Sequence, residues 1–68
     1  MIKNRLSEIM GIKRMNRAEL SRLSGISSNQ LNKIYYDKTK GVDFKTLDKL
    51  CWALDCSTQD LFRYIPDR

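Results

Sequence analysis

Ten consecutive residues, SSNQLNKIYY at positions 27 to 36, carry Ser27, Ser28, Asn29, Asn32 and Lys33 and not one carboxylate. Asn side chains make bidentate pairs with adenine edges, Lys donates to guanine O6 and N7, and Ser serves any edge or a phosphate. The chemistry on offer is therefore the recognition of base edges. Catalytic chemistry is poorly supplied. The chain has no His, which removes the ordinary Ser-His and Cys-His nucleophiles and leaves a Ser-Lys pair as the sole option of that kind. It has no G-x-x-x-x-G-K-[ST] loop and, at 68 residues, too little volume for an enclosed pocket. No catalytic residues are expected.

Nor does the sequence offer a metal or a cofactor a home. Cys51 and Cys56 lack C-x-x-C spacing and no His completes a four-ligand zinc site. Cys51 reads as a small core hydrophobe, and Cys56 as a loop thiol open to redox chemistry that nothing else requires. The start MIKNRLSEIM is charged and amphipathic, unlike a secretion signal, and the longest apolar run is CWAL at 51 to 54. No membrane association and a cytoplasmic location are expected.

The residues that position the polar stretch repeat at helical spacing, and no segment alternates like a strand. Ile2, Leu6, Ile9 and Met10 form one stripe of a first helix reaching about Lys13, with Gly11 costing roughly 1 kcal/mol within it or ending it early. Asn16 with Glu19 has capping-box spacing and opens a second helix with Leu20 and Leu23 inward, closed by Gly25. Ser27 with Gln30 is another such box, Ser27 accepting from the Gln30 amide while Gln30 reaches back, so both serve as caps before they serve as readers. Leu31, Ile34 and Tyr35 lie within about 60° of the core direction of this third helix, and Ser28, Asn29, Asn32, Lys33 and Tyr36 face outward. Asp43 caps a fourth helix with Phe44, Leu47, Leu50, Cys51 and Leu54 inward; Ser57 with Asp60 caps a fifth, which runs through Leu61, Phe62 and Ile65 and ends before Pro66. The reading is an all-α, compact five-helix domain over residues 1–68, without linker or repeat.

Charge follows the same division. Residues 1–40 hold nine Lys and Arg against three acids, while residues 41–68 hold four against five. Such an asymmetry suits a phosphate-binding face on the first half. Asn is a poor helix residue, and two on one exposed face cost stability without burying anything, which favours a functional reason for Asn29 and Asn32. Two short helices joined by a tight turn at Gly25 and Ile26 are the helix-turn-helix arrangement, here at about residues 17–36, whose second helix brings its N-terminal side chains to the major groove. The amides around Asn16 and Arg17, at the start of the preceding helix, suit a phosphate. Double-stranded DNA is the expected partner; a single strand would want more aromatic residues on the basic face than Tyr36.

RAELSRLSGISSNQLNKIYYDKTK resembles the helix-turn-helix of the phage-repressor family (Cro/CI-type, XRE-like), matching it at Leu20, Ser21, Gly25, Ile26, Leu31 and Ile34. TLDKLCWALDCSTQDLF is similar to the family's fourth and fifth helices. The resemblance implies a lambda-repressor-like fold and a bacterial or phage-encoded transcriptional regulator, by family habit a repressor. It implies base contacts, or contacts to flanking phosphates, from Ser27, Ser28, Asn29, Asn32 and Lys33, and phosphate contacts from Asn16, Arg17, Tyr36, Lys38, Thr39 and Lys40. Three departures stand out: Ser21 replaces the commoner Ala, Tyr36-Asp37 replaces Asn-Gly, and the first recognition positions lack glutamines.

Trp52 lies at the edge of the fourth helix's buried face. With Phe62, Tyr64 and Ile65 it leaves more apolar surface than so small a chain readily covers, so either these residues fold back over a small core or, the favoured reading, they form a two-fold homodimer contact. The alternative function is a protein-interaction module, such as an antitoxin or a phage or plasmid antagonist, that uses the same fold to bind a protein partner.

Overall fold

The computed structural model describes residues 1–66. In chain order these form β1 (Ile2–Asn4), α1 (Leu6–Ile12), α2 (Arg17–Ser24), α3 (Ser28–Tyr35), α4 (Phe44–Leu54), α5 (Thr58–Leu61) and β2 (Phe62–Tyr64). Six leucines at 6, 20, 31, 50, 54 and 61 are almost wholly buried, so every helix sends at least one into a common core. Full burial of each such side chain contributes about 1.5–3 kcal/mol.

Four helices start where a side chain satisfies an otherwise orphaned amide. Asn16 accepts from the Glu19 amide at 2.8 Å, Ser27 from Gln30 at 3.2 Å, Asp43 from Thr46 at 2.9 Å and Ser57 from Asp60 at 3.3 Å. Asn16–Glu19 and Ser57–Asp60 are complete capping boxes. Ser27–Gln30 is only half of one. The Gln30 side chain donates instead to the Thr46 hydroxyl at 3.1 Å, tying α3 to α4.

The helix ends are less conventional. After α1, α3 and α4 the chain passes through Arg14, Asp37 and Asp55 at φ 55°, 56° and 50°, the left-handed region in which glycine is usual. Each end shows the paired backbone bonds of a Schellman motif: Met15 to Met10 with Arg14 to Gly11, Lys38 to Lys33 with Asp37 to Ile34, and Cys56 to Cys51 with Asp55 to Trp52. Arg14→Gly is expected to stabilise the protein by about 0.5–1 kcal/mol, the relief of left-handed strain exceeding the added freedom of the unfolded chain. Urea unfolding at neutral pH measures this difference.

Four expectations are corrected. The fold is mostly helical but not all-α, because β1 and β2 pair antiparallel, Ile2 opposite Tyr64, Lys3 opposite Arg63 and Asn4 opposite Phe62. The first helix begins only at Leu6, since the Asn4 side chain accepts the Leu6 amide at 2.8 Å and stops the extended segment there. Ile2 thus leaves the helical stripe and is exposed. The fifth helix ends at Leu61, and Phe62 takes an extended backbone with φ −127°. Phe44 and Leu23 do not point inward: Phe44 is 89 % exposed at the first position of α4, before the packed part of that helix begins at Thr46. In the last turn of α2 the buried position goes to Ser24, whose hydroxyl donates to the Leu20 carbonyl at 2.6 Å and accepts the Ile26 amide at 3.2 Å.

Acid should loosen these caps. Hydrogen bonds from Thr46, side chain first and backbone second, hold the Asp43 carboxyl below its ordinary range, and bonds from the Ser57 backbone and hydroxyl do the same for Asp60. A carboxylate whose native pKa is depressed stabilises the fold fully above its unfolded pKa and loses that contribution as pH falls through the native one. The melting temperature should therefore be level above about pH 5 and fall below about pH 4. Asp43→Asn, which keeps an N-cap acceptor without a titrating charge, should make that fall shallower in a pH series of thermal melts.

Candidate nucleic-acid interface

The turn between α2 and α3 is shaped by Gly25 at φ 77°, whose amide donates to the Ser21 carbonyl. Ser21 then fixes the exit, its hydroxyl donating to the Ile26 carbonyl at 2.6 Å. This gives Ser21 a role in the turn that Ala could not fill. Ile26 is buried in the core, and α3 follows at once.

Leu31 and Ile34 anchor α3 inward, while Ser28, Asn29, Asn32 and Lys33 are exposed together on its outer side. Ser27 is exposed as well, its hydroxyl oxygen occupied by the Gln30 amide. Asn29 makes no side-chain hydrogen bond to a described residue, whereas Asn32 is engaged. The Arg17 guanidinium donates to Asn32 Oδ1 at 2.9 Å, so the first residue of α2 grips the middle of α3.

Arg17 is itself held by aromatic faces. Its guanidinium carbon lies 4.8 Å from the centre of the Tyr35 ring and 5.1 Å from that of Tyr36. The two rings meet edge to face at 5.0 Å and 78°. Cation–π stacking of this kind restricts an otherwise mobile side chain. No local pattern in the sequence announces this cluster, because Arg17 and the tyrosines meet only through the packing of α2 on α3.

Beyond α3, Lys38, Thr39 and Lys40 are exposed in the loop leading to α4. Thr39 is partly occupied locally, its hydroxyl donating to the Gly41 carbonyl at 2.7 Å. The path of this loop is set by Asp37, whose left-handed backbone does what glycine commonly does and whose carboxylate accepts from the Asn4 side chain at 3.2 Å. Asn4 also donates to the Ile34 carbonyl, so one side chain of β1 fastens the end of α3 and the start of the loop. Sequence reasoning had no reason to single out Asn4.

Asn16 acts as a cap on both sides, its Oδ1 accepting from the Glu19 amide and its backbone amide donating to Glu19 Oε1 at 3.3 Å, while its side-chain NH2 makes no hydrogen bond to a described residue. Charge is distributed unevenly. Glu8 pairs with Lys3 at 3.6 Å and with Arg5 at 3.0 Å, the Arg5 hydrogen bond chiefly holding the Glu8 carboxyl below its ordinary range. Among the described residues Lys33, Lys38 and Lys40 have no acidic partner of this kind, so α3 and its following loop carry cationic charge that is free to meet an anion.

The apolar residues near the C-terminus divide. Trp52 on α4 and Tyr64 on β2 are exposed, whereas Phe62 packs against the core and Ile65 is half-buried, its amide bonded to the Met1 carbonyl. Cys51 and Cys56, at the Schellman end of α4, both pack on the core; burial raises both thiols above their ordinary range. Among the described residues no group of three or more His, Cys, Asp and Glu side chains is placed to hold a metal ion. No described helix is long and apolar enough to cross a membrane.

The family model of the Cro/C1-type HTH DNA-binding domain matches residues 5–67. Among curated proteins none matches the chain. The turn at Gly25, the two helices it joins and a family match over nearly the whole length together place this chain in the Cro/C1-type helix-turn-helix DNA-binding domain family.

Proposed function

We propose that this DNA-binding regulator is a sequence-specific repressor that acts in the cytoplasm as one domain, with α3 lying in the major groove of double-stranded DNA. The observation that carries the reading is the outer side of α3, where Ser28, Asn29, Asn32 and Lys33 are exposed without a carboxylate and stand beside the Lys38–Lys40 loop. In this role Asn29, Asn32 and Lys33 read base edges, while Ser27 and Ser28 bond edges or flanking phosphates. Asn16, Arg17, Tyr36, Lys38, Thr39 and Lys40 bond the backbone, Asn16 through the side-chain NH2 that capping does not use. Phosphate bonds position the module and base bonds select the site.

A dimer fits the same reading. One small module reads few base pairs, whereas two reading related half-sites about 34 Å apart multiply selectivity. The exposed Trp52 and Tyr64 are the contact residues we favour, with Phe62 and Ile65 supporting them from beneath. Sedimentation of the DNA complex should show two protomers per duplex for wild type and one for Trp52→Ser; unchanged stoichiometry would remove Trp52 from the contact.

The reading of α3 is tested by amide chemical shifts during titration with a duplex taken from upstream of the gene. Perturbations concentrated in residues 27–40 and at the start of α2 support it. Unperturbed residues 27–40 at duplex concentrations that should fill the site would favour the protein-binding alternative instead.

A further inference from the structure

We infer that Arg17 decides which base Asn32 accepts, by holding the Asn32 carboxamide with its oxygen toward α2 and its NH2 group free. The inference rests on α3 being the base-reading helix. Its starting point is the 2.9 Å bond from Arg17 to Asn32 Oδ1. Arg has donors and no acceptor, so the amide cannot satisfy this partner in its flipped orientation. The orientation is therefore dictated by chemistry.

Arg17 is also kept in place. Its guanidinium lies over Tyr35 at 4.8 Å and Tyr36 at 5.1 Å, and the edge-to-face packing of those rings stiffens the platform. The guanidinium has further N–H groups left for a phosphate, so gripping Asn32 and bonding the backbone are compatible.

Adenine is read by an Asn whose oxygen accepts from N6 while its NH2 donates to N7. Here the oxygen already faces a cationic donor, and an adenine N6 amino group approaching it would meet the guanidinium as well. Guanine asks for no acceptor from the protein, since N7 and O6 both accept. Cytosine offers a donor to a donor, and thymine a single O4 acceptor where guanine offers two acceptors. Asn32 should therefore favour guanine and lose the usual Asn preference for adenine. Asn29 supplies an internal contrast: three residues earlier on the same helix, it has no described side-chain partner and keeps both halves of its amide for adenine.

Selection from randomised duplexes by wild type, Arg17→Met, Asn29→Ala and Asn32→Ala tests this, with circular dichroism confirming that each variant folds. In the column of the site that Asn32→Ala flattens, wild type should favour guanine over adenine by roughly fivefold or more. Arg17→Met should move that column toward adenine while weakening binding generally, a shift in preference that lost phosphate contact or lost rigidity alone does not produce. Adenine predominating for wild type, or an unchanged column in Arg17→Met, would overturn the inference. Should Asn29→Ala alter a column while Asn32→Ala alters none, the inference fails and α3 remains the reader; should neither alter any, both fail.

Discussion

Leu50→Ala is expected to leave the protein largely unfolded under conditions in which wild type is native. Leu50 is fully buried at the middle of α4, among leucines sent from every other helix. Removing such a side chain loses its transfer free energy and leaves a cavity, about 2.7–5 kcal/mol together. A single core in a chain this short seldom supplies more than about 3–5 kcal/mol in total. Phe44→Ala is the matched control on the same helix. Phe44 is 89 % exposed, and its removal should change stability by no more than about 0.5 kcal/mol. Urea titrations followed by far-UV circular dichroism separate the two. A Phe44 variant as damaged as the Leu50 variant would contradict the placement of α4.

The second large effect concerns salt. Arg17, Lys33, Lys38 and Lys40 are the cationic groups we assign to the DNA face, and each phosphate neutralised releases counterions from the duplex. With about four such contacts per protomer, raising monovalent salt from about 50 to 200 mM should weaken binding roughly a hundredfold per protomer. The double variant Lys38→Ala, Lys40→Ala should reduce the slope of log affinity against log salt by about two per protomer while leaving base preference intact. Isotherms at four or five salt concentrations measure this, and an unchanged slope would place that loop away from the DNA.

What could be read from the residues alone follows from how local each feature is. The four caps at Asn16, Ser27, Asp43 and Ser57 were legible because a cap is a short-range geometry, set by one side chain and an amide three residues on. The leucines at 20, 31, 50 and 54 were legible because helical periodicity repeats over several turns. The ribbon was not, since three residues per strand are too few to alternate and its pairing joins the two ends of the chain. Helix ends were obscured because Arg14, Asp37 and Asp55 occupy left-handed positions without being glycine, while Gly11 lies inside α1. Gln30 was assigned to its own cap because its bond to Thr46 is tertiary.

The candidate site shows the same division. Exposure of Asn29, Asn32 and Lys33 on α3 follows from the wheel once Leu31 and Ile34 define the core direction. The grip of Arg17 on Asn32 and its stacking on Tyr35 and Tyr36 depend on how α2 crosses α3, which residue types and spacing do not specify. The same is true of Asn4, whose bonds to Ile34 and Asp37 connect β1 to the end of α3.

The most direct test of the central claim is the fluorescence anisotropy of a labelled duplex from upstream of the gene, compared with scrambled DNA, for wild type and Asn29→Ala. We predict that wild type prefers the native duplex and that Asn29→Ala loses this preference while retaining salt-sensitive binding to both. Equal, weak binding of both duplexes by wild type, matched by the variant, would contradict the claim that α3 reads DNA sequence at this site.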